Sequence, residues 1–104
     1  MKTLYQTYGI EMDAPGWEAL YKPLIDRCNA EGVSIFQIKE KLGGLRFYVN
    51  GEASKDLHAA INAACAKSEV TCMKCGKPGV LRVGDWLATL CDEHAGGRKS
   101  ARGT

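Results

Sequence analysis

The sequence predicts an α+β fold. A helix, a β-hairpin and a second helix form a core, and a cysteine-bearing segment of knuckle, second hairpin and short helical turn follows it. Three observations carry this reading. Two stretches repeat apolar residues at helical spacing, and the stretch between them alternates apolar and polar residues around a glycine pair. Near the C-terminus, three cysteines and a histidine fall in two close pairs.

Residues 1–14 read as an N-terminal extension, and residues 15–70 as the core. In residues 15–31, Trp17, Leu20, Tyr21, Leu24, Ile25 and Cys28 follow the spacing of one buried helical stripe. Asp13 or Ala14 stands at the N-cap, Pro15 in the first turn and Gly32 just past the end. Pro23 lacks an amide hydrogen and crowds the carbonyl of Ala19, which predicts a kink or a late start to the regular helix. In the hairpin, Phe36 and Ile38, then Leu45, Phe47 and Val49, form the expected buried face, and Gly43-Gly44 supplies the positive φ of the turn. Ser54 caps a second helix, in which Leu57, Ala60, Ile61, Ala64 and Cys65 make the apolar stripe.

Residues 71–95 carry the sharpest chemical signal. Cys72 and Cys75 form C-x2-C, fifteen residues follow, and Cys91 and His94 form C-x2-H. Each pair aims two thiolate or imidazole ligands at one point, which is the pattern of a four-ligand zinc site, and the spacer is long enough for a returning hairpin. Gly76 suits a tight knuckle, Val80 to Val83 and Trp86 to Leu90 read as strands, and the three-residue step from Cys91 to His94 fits one helical turn. The combination is treble-clef-like, with one structural Zn²⁺. Four protein ligands leave no open position for catalysis, and Asp92 and Glu93 are expected to point away from the metal. The segment is expected to pack on or next to the core, and residues 96–104 read as a flexible basic tail.

Composition bounds the function. The chain has 104 residues and five cysteines, an odd number that suits metal ligation in a reducing compartment better than disulfides. No apolar run is long enough to span a bilayer and no signal-peptide core follows Met1, so the expected setting is cytoplasmic. No phosphate-loop, dinucleotide, nucleophile-elbow or metalloprotease motif occurs, and Cys28, Cys65 and His58 read as two buried apolar thiols and a surface imidazole, so an enzyme is not expected. Trp17 and Trp86 read as core anchors. The formal charge is +2, but the tail holds three of the 14 Lys and Arg and none of the 12 acidic residues. The rest of the chain is therefore slightly acidic. Lys39, Lys41, Arg46 and Tyr48, with Gln37, share or border the polar face of the first hairpin and are the candidate partner-binding residues. Lys74, Lys77 and Arg82 form a smaller cationic group beside the metal ligands.

Three segments taken together carry a resemblance: Gly16-Trp17 at the head of the first helix, the run Ile38-Lys39-Glu40-Lys41-Leu42-Gly43-Gly44-Leu45-Arg46-Phe47-Tyr48, and Thr71 through His94. They resemble a group of short, mostly uncharacterised proteins of bacteriophages and bacterial mobile elements, which join a K-E-K-x-G-G-L-R-F-Y hairpin to a segment of three cysteine ligands and one histidine. The resemblance implies the ligand set Cys72, Cys75, Cys91 and His94, and a setting in a bacterial host's cytoplasm. The expected function is a non-catalytic, zinc-stabilised binding protein docking on a host macromolecule, first of all a protein, as in an inhibitor of a host defence system such as a CRISPR nuclease complex. The alternative is a nucleic-acid-binding regulator that uses Lys39, Lys41, Arg46 and the tail residues Arg98, Lys99 and Arg102.

Overall fold

The computed structural model describes residues 10–84 and 87–97. Its elements are β1 (Ile10–Glu11), a 3₁₀ turn (Pro15–Trp17), α1 (Glu18–Glu31), β2 (Ser34–Lys41), β3 (Gly44–Asn50) and α2 (Lys55–Ser68), followed by β4 (Val80–Arg82), β5 (Ala88–Leu90) and a second 3₁₀ turn (Asp92–His94). This is the predicted α+β arrangement, with a cysteine and histidine cluster in its C-terminal part.

In α1 the stripe is as expected: Trp17, Tyr21, Leu24, Ile25 and Cys28 are buried and Leu20 packs partly against them. Gly32 closes the helix with φ 72°, a left-handed geometry that suits glycine. Pro23 does not delay the start. The helix begins at Glu18 and runs through the proline, because Pro23 and Ala19 both lie on the exposed side, where water can serve the carbonyl that lost its partner.

The hairpin departs from the sequence reading in two places. Its two-residue loop is Leu42-Gly43, with φ 54° and 79°, while Gly44 pairs with Lys41 as the first residue of β3. The strand twist demands two successive positive φ values, and Leu42 supplies one of them at a strain of about 1 kcal/mol. The Gly43 N–H is held by the Glu40 carboxylate at 2.7 Å. The second departure is a β-bulge. Ile35 pairs with Val49 and Gln37 with Tyr48, which leaves Phe36 as an extra residue. Phe36 is consequently 65% exposed rather than buried, and Ile35 takes its place against the core.

Residues of the N-terminal stretch join this sheet. Ile10 pairs with Ile38 and Glu11 with Lys39, in parallel, giving the order β1-β2-β3. The two-residue strand offers too little alternation to be read from sequence. Ser54 caps α2 by accepting the Leu57 N–H at 3.1 Å, and the Glu31 carboxylate in turn accepts from the Ser54 N–H and hydroxyl, joining the end of α1 to the start of α2.

The C-terminal end of α2 covers the outer edge of β3. Ser68 is fully buried; its hydroxyl accepts the Leu45 N–H at 2.8 Å and donates to the Cys65 carbonyl at 2.6 Å. The Cys65 thiol is pushed up by burial and pulled back by a hydrogen bond from the Phe47 backbone. The edge of β3 is thereby satisfied at Leu45 and cannot extend the sheet there. Trp17, Tyr21, Ile38, Leu45 and Leu57 are essentially inaccessible and form the centre of the core. Among the described residues, no helix is long and apolar enough to cross a membrane.

Candidate metal centre

The four ligand residues come from a knuckle and a turn that the backbone brings together. In the knuckle, the Cys72 N–H donates to the Lys77 carbonyl at 2.7 Å and the Gly76 N–H to the Cys72 carbonyl at 2.9 Å. Gly76 takes φ 83°, so the reversal is built on a residue without a Cβ. A bridge between Thr71 and Pro78 closes the loop. Strands β4 and β5 then pair antiparallel, Val80 with Leu90 and Arg82 with Ala88, which delivers Cys91 to the knuckle. The turn Asp92–His94 is 3₁₀ in form, with the His94 N–H on the Cys91 carbonyl at 3.1 Å.

The resulting geometry fits a metal ion. One donor atom from each of Cys72, Cys75, Cys91 and His94 lies within 4.8 Å of every other. The Cys75 and Cys91 sulfurs are 3.7 Å apart, and His94 Nδ1 stands 3.8 Å from the Cys72 sulfur and 3.2 Å from that of Cys91. A tetrahedron around zinc has sulfur–sulfur edges of about 3.8 Å and sulfur–nitrogen edges of about 3.6 Å, given bonds near 2.3 and 2.05 Å. These three distances are close to the edges of such a tetrahedron, so the three sulfurs and Nδ1 are placed where they could hold one metal ion. Cys72 and Cys91 are buried, while Cys75 and His94 form the exposed rim.

The thiols are prepared for this unequally. Burial pushes the Cys72 thiol up, but hydrogen bonds from the backbone of Cys91, Cys75 and Lys74, with one from the Cys75 side chain, bring it down to about 6. Cys75 is raised: a backbone hydrogen bond at Lys77 lowers it, but burial and the neighbouring thiols Cys91 and Cys72 outweigh that. The other two cysteines lie outside the cluster. Cys28 is fully buried, and burial raises its thiol, with Glu31 adding to the effect and Arg27 opposing it.

Two glycines seat this segment on the core, and the sequence reading gave neither that role. The Gly16 N–H donates to the Met73 carbonyl at 2.8 Å, and a Cβ on Gly16 would lie 2.1 Å from the Cys72 carbonyl oxygen and 2.5 Å from the Gly76 nitrogen. The knuckle backbone therefore rests directly on Gly16. Beside it, Trp17 Nε1 donates to the Thr71 carbonyl at 2.9 Å. On the other side the buried Thr89 hydroxyl donates to the Gly43 carbonyl at 2.6 Å, and Gly43 faces the Leu81 side chain. The metal segment thus bridges the 3₁₀ turn ahead of α1 and the tip of the β2–β3 hairpin.

The acidic residues between the ligands serve the surround. Arg82, nearly buried, donates to the Leu90 carbonyl and to the Asp92 carboxylate, the latter at 2.7 Å. Lys77 pairs with Glu93 at 3.7 Å and Lys74 with Asp13 at 3.4 Å. The smaller cationic group beside the ligands is therefore neutralised residue by residue.

The hairpin candidates are differently placed. Lys39 and Arg46 stand directly opposite each other on β2 and β3, Gln37 opposes Tyr48, and Lys41 opposes Gly44. Strand alternation puts Lys39, Lys41, Arg46 and Tyr48 on the face away from Ile38 and Leu45, and Lys39 Nζ lies 5.9 Å from the centroid of the Tyr48 ring. Among the described side chains, no carboxylate forms an ion pair with Lys39, Lys41 or Arg46. His58 is exposed on α2, as expected. Trp86 and the tail residues Arg98, Lys99 and Arg102 lie outside the described residues. Comparison with family models, with curated proteins and with solved structures finds no match to this chain.

Proposed function

We propose that this chain is a non-catalytic binding protein in which one structural zinc ion closes the C-terminal segment and the polar face of the first hairpin docks on a host macromolecule, first of all a protein. The observation that carries the reading is the contrast in charge pairing. Lys74, Lys77 and Arg82 each have a carboxylate partner, whereas Lys39, Lys41 and Arg46 form no ion pair with another described side chain and flank the exposed Tyr48. Arginine and tyrosine on a rigid sheet are the residue types that anchor interfaces. Zinc, rather than another ion, is the choice of three thiolates and an imidazole at tetrahedral spacing, and a full shell of protein ligands assigns it to stability.

The resemblance to phage and mobile-element proteins supplies the setting: the cytoplasm of a bacterial host, and an inhibitor of a defence assembly such as a CRISPR nuclease complex. A second reading, a regulator that binds nucleic acid through the same face and the basic tail, is favoured by Lys39 over the Tyr48 ring, since cations beside an aromatic can hold a stacked base and its phosphate.

The test uses the double variant Arg46→Glu, Tyr48→Ala in the full, metal-bound chain. Capture of host macromolecules from lysate should fall while the far-ultraviolet circular dichroism and metal content stay unchanged. Unaltered capture by this folded variant removes the face from the account. Retention on mixed DNA and RNA that collapses with added salt selects the second reading.

A further inference from the structure

The hairpin carries two features that stability alone does not explain. Leu42, 64% exposed, sits at φ 54° in a turn position where asparagine or glycine would be unstrained. Phe36, 65% exposed, is turned out of the core by a bulge that gives its inward place to Ile35. Between them, Lys39 and Arg46 form a like-charge pair directly across the strands, an arrangement that costs stability. A strained aliphatic tip, an expelled aromatic and a like-charge pair on one hairpin are local losses that binding can recover.

Resting on the docking role proposed above, we infer that the interface runs from Phe36 across Lys39, Arg46 and Tyr48 to Leu42, and that its partner is a protein segment in which clustered carboxylates flank an apolar anchor. Charge complementarity sets the carboxylates: three cations here form no ion pair with another described side chain, and the carboxylate of Glu40, between Lys39 and Lys41 in the strand, accepts the Gly43 N–H. The ends of the face set the anchor. An aliphatic side chain at the tip packs into a protein groove and offers no stacking surface to a base. A nucleic-acid track would also need a longer basic stripe, yet residues outside the tail hold 11 Lys and Arg against 12 acidic residues. The partner is not a strand added at Leu45 on the outer edge of β3, because that amide is already taken by Ser68 of α2.

The experiment is selection of a displayed random-peptide library on the full, metal-bound chain, followed by titration of the selected peptides against Leu42→Asn, Phe36→Ser and Arg46→Glu. Enriched peptides should combine Asp or Glu with a nearby Leu, Ile or Phe. Leu42→Asn should raise the denaturation midpoint of the protein and yet weaken these peptides by at least about fivefold. Peptides lacking carboxylates, or peptides indifferent to both Leu42→Asn and Phe36→Ser, overturn the inference. If Arg46→Glu alone abolishes binding, the docking face stands and its apolar ends fall; if none of the three variants matters, the docking face falls as well. Displacement of the selected peptides by a twenty-residue single-stranded oligonucleotide at moderate salt would assign the face to nucleic acid and overturn the protein partner.

Discussion

The core and the metal segment of this chain are built on different physics. Residues 10–68 bury a continuous cluster around Trp17, Tyr21, Ile38, Leu45 and Leu57, side chains large enough to specify their neighbours by packing. Among the described residues of 71–95 the buried apolar cluster consists of Cys72, Ala88, Leu90 and Cys91, two of which are candidate ligands. The described side chains of that cluster contribute little against the ordering of a knuckle, a hairpin and a turn. The segment rests on contacts lent by the core at Gly16, Trp17 and Gly43, and its four candidate ligands stand close enough to hold a metal ion. A metal at the four candidate ligands would add cohesion to a segment whose described apolar cluster is small, and the larger neighbour supplies its seat.

The most severe way to break the contrast is to remove a ligand. Cys72→Ser should eliminate stoichiometric zinc binding and unfold the segment, since apparent zinc-binding free energies of closed sites are on the order of 10 kcal/mol. Metal content and Trp17 fluorescence report both events, as the indole donates to the segment at Thr71. Retained zinc in this variant would remove Cys72 from the ligand set.

Next in size is the seat itself. Gly16→Ala drives a methyl group into the backbone at Cys72 and Gly76, neither of which is a flexible side-chain end, so a loss of roughly 2 to 3 kcal/mol is expected together with weaker zinc binding. Urea denaturation of the metal-bound variant measures it. A neutral result would mean that the knuckle does not rest on Gly16.

Within the core, Ser68→Ala strands the buried Leu45 N–H and should cost about 1 to 3 kcal/mol without altering metal content. The measurement that tests the segment's dependence on zinc should find this position indifferent to it. Smallest and opposite in sign, Leu42→Asn should stabilise the chain by about 0.5 to 1 kcal/mol by relieving the turn.

The sequence was most legible where one residue type has one physical use. Cys72, Cys75, Cys91 and His94 could be grouped by spacing alone, and the structure brings all four together. The stripes of α1 and α2 were legible because burial on one helix face repeats many times. Features that turn on one or two residues were not. A bulge displaces a single residue, so alternation placed Phe36 inside the core and the structure places it outside. Two adjacent glycines, Gly43 and Gly44, pointed to the turn but not to its register, which moved one place toward Leu42. Gly16 was visible as a glycine, yet the contact that requires it lies nearly sixty residues away in the chain at Cys72.

If a metal holds residues 71–95 while apolar burial holds the core, hydrogen exchange on the full chain before and after chelation separates the two most directly. The amides of Met73, Gly76 and Gly79, all engaged in backbone hydrogen bonds in the structure, should lose protection on chelation, while the central amides of α1 and α2 remain slow. Unchanged protection at the three knuckle amides, or simultaneous loss of protection throughout the chain, would contradict that division.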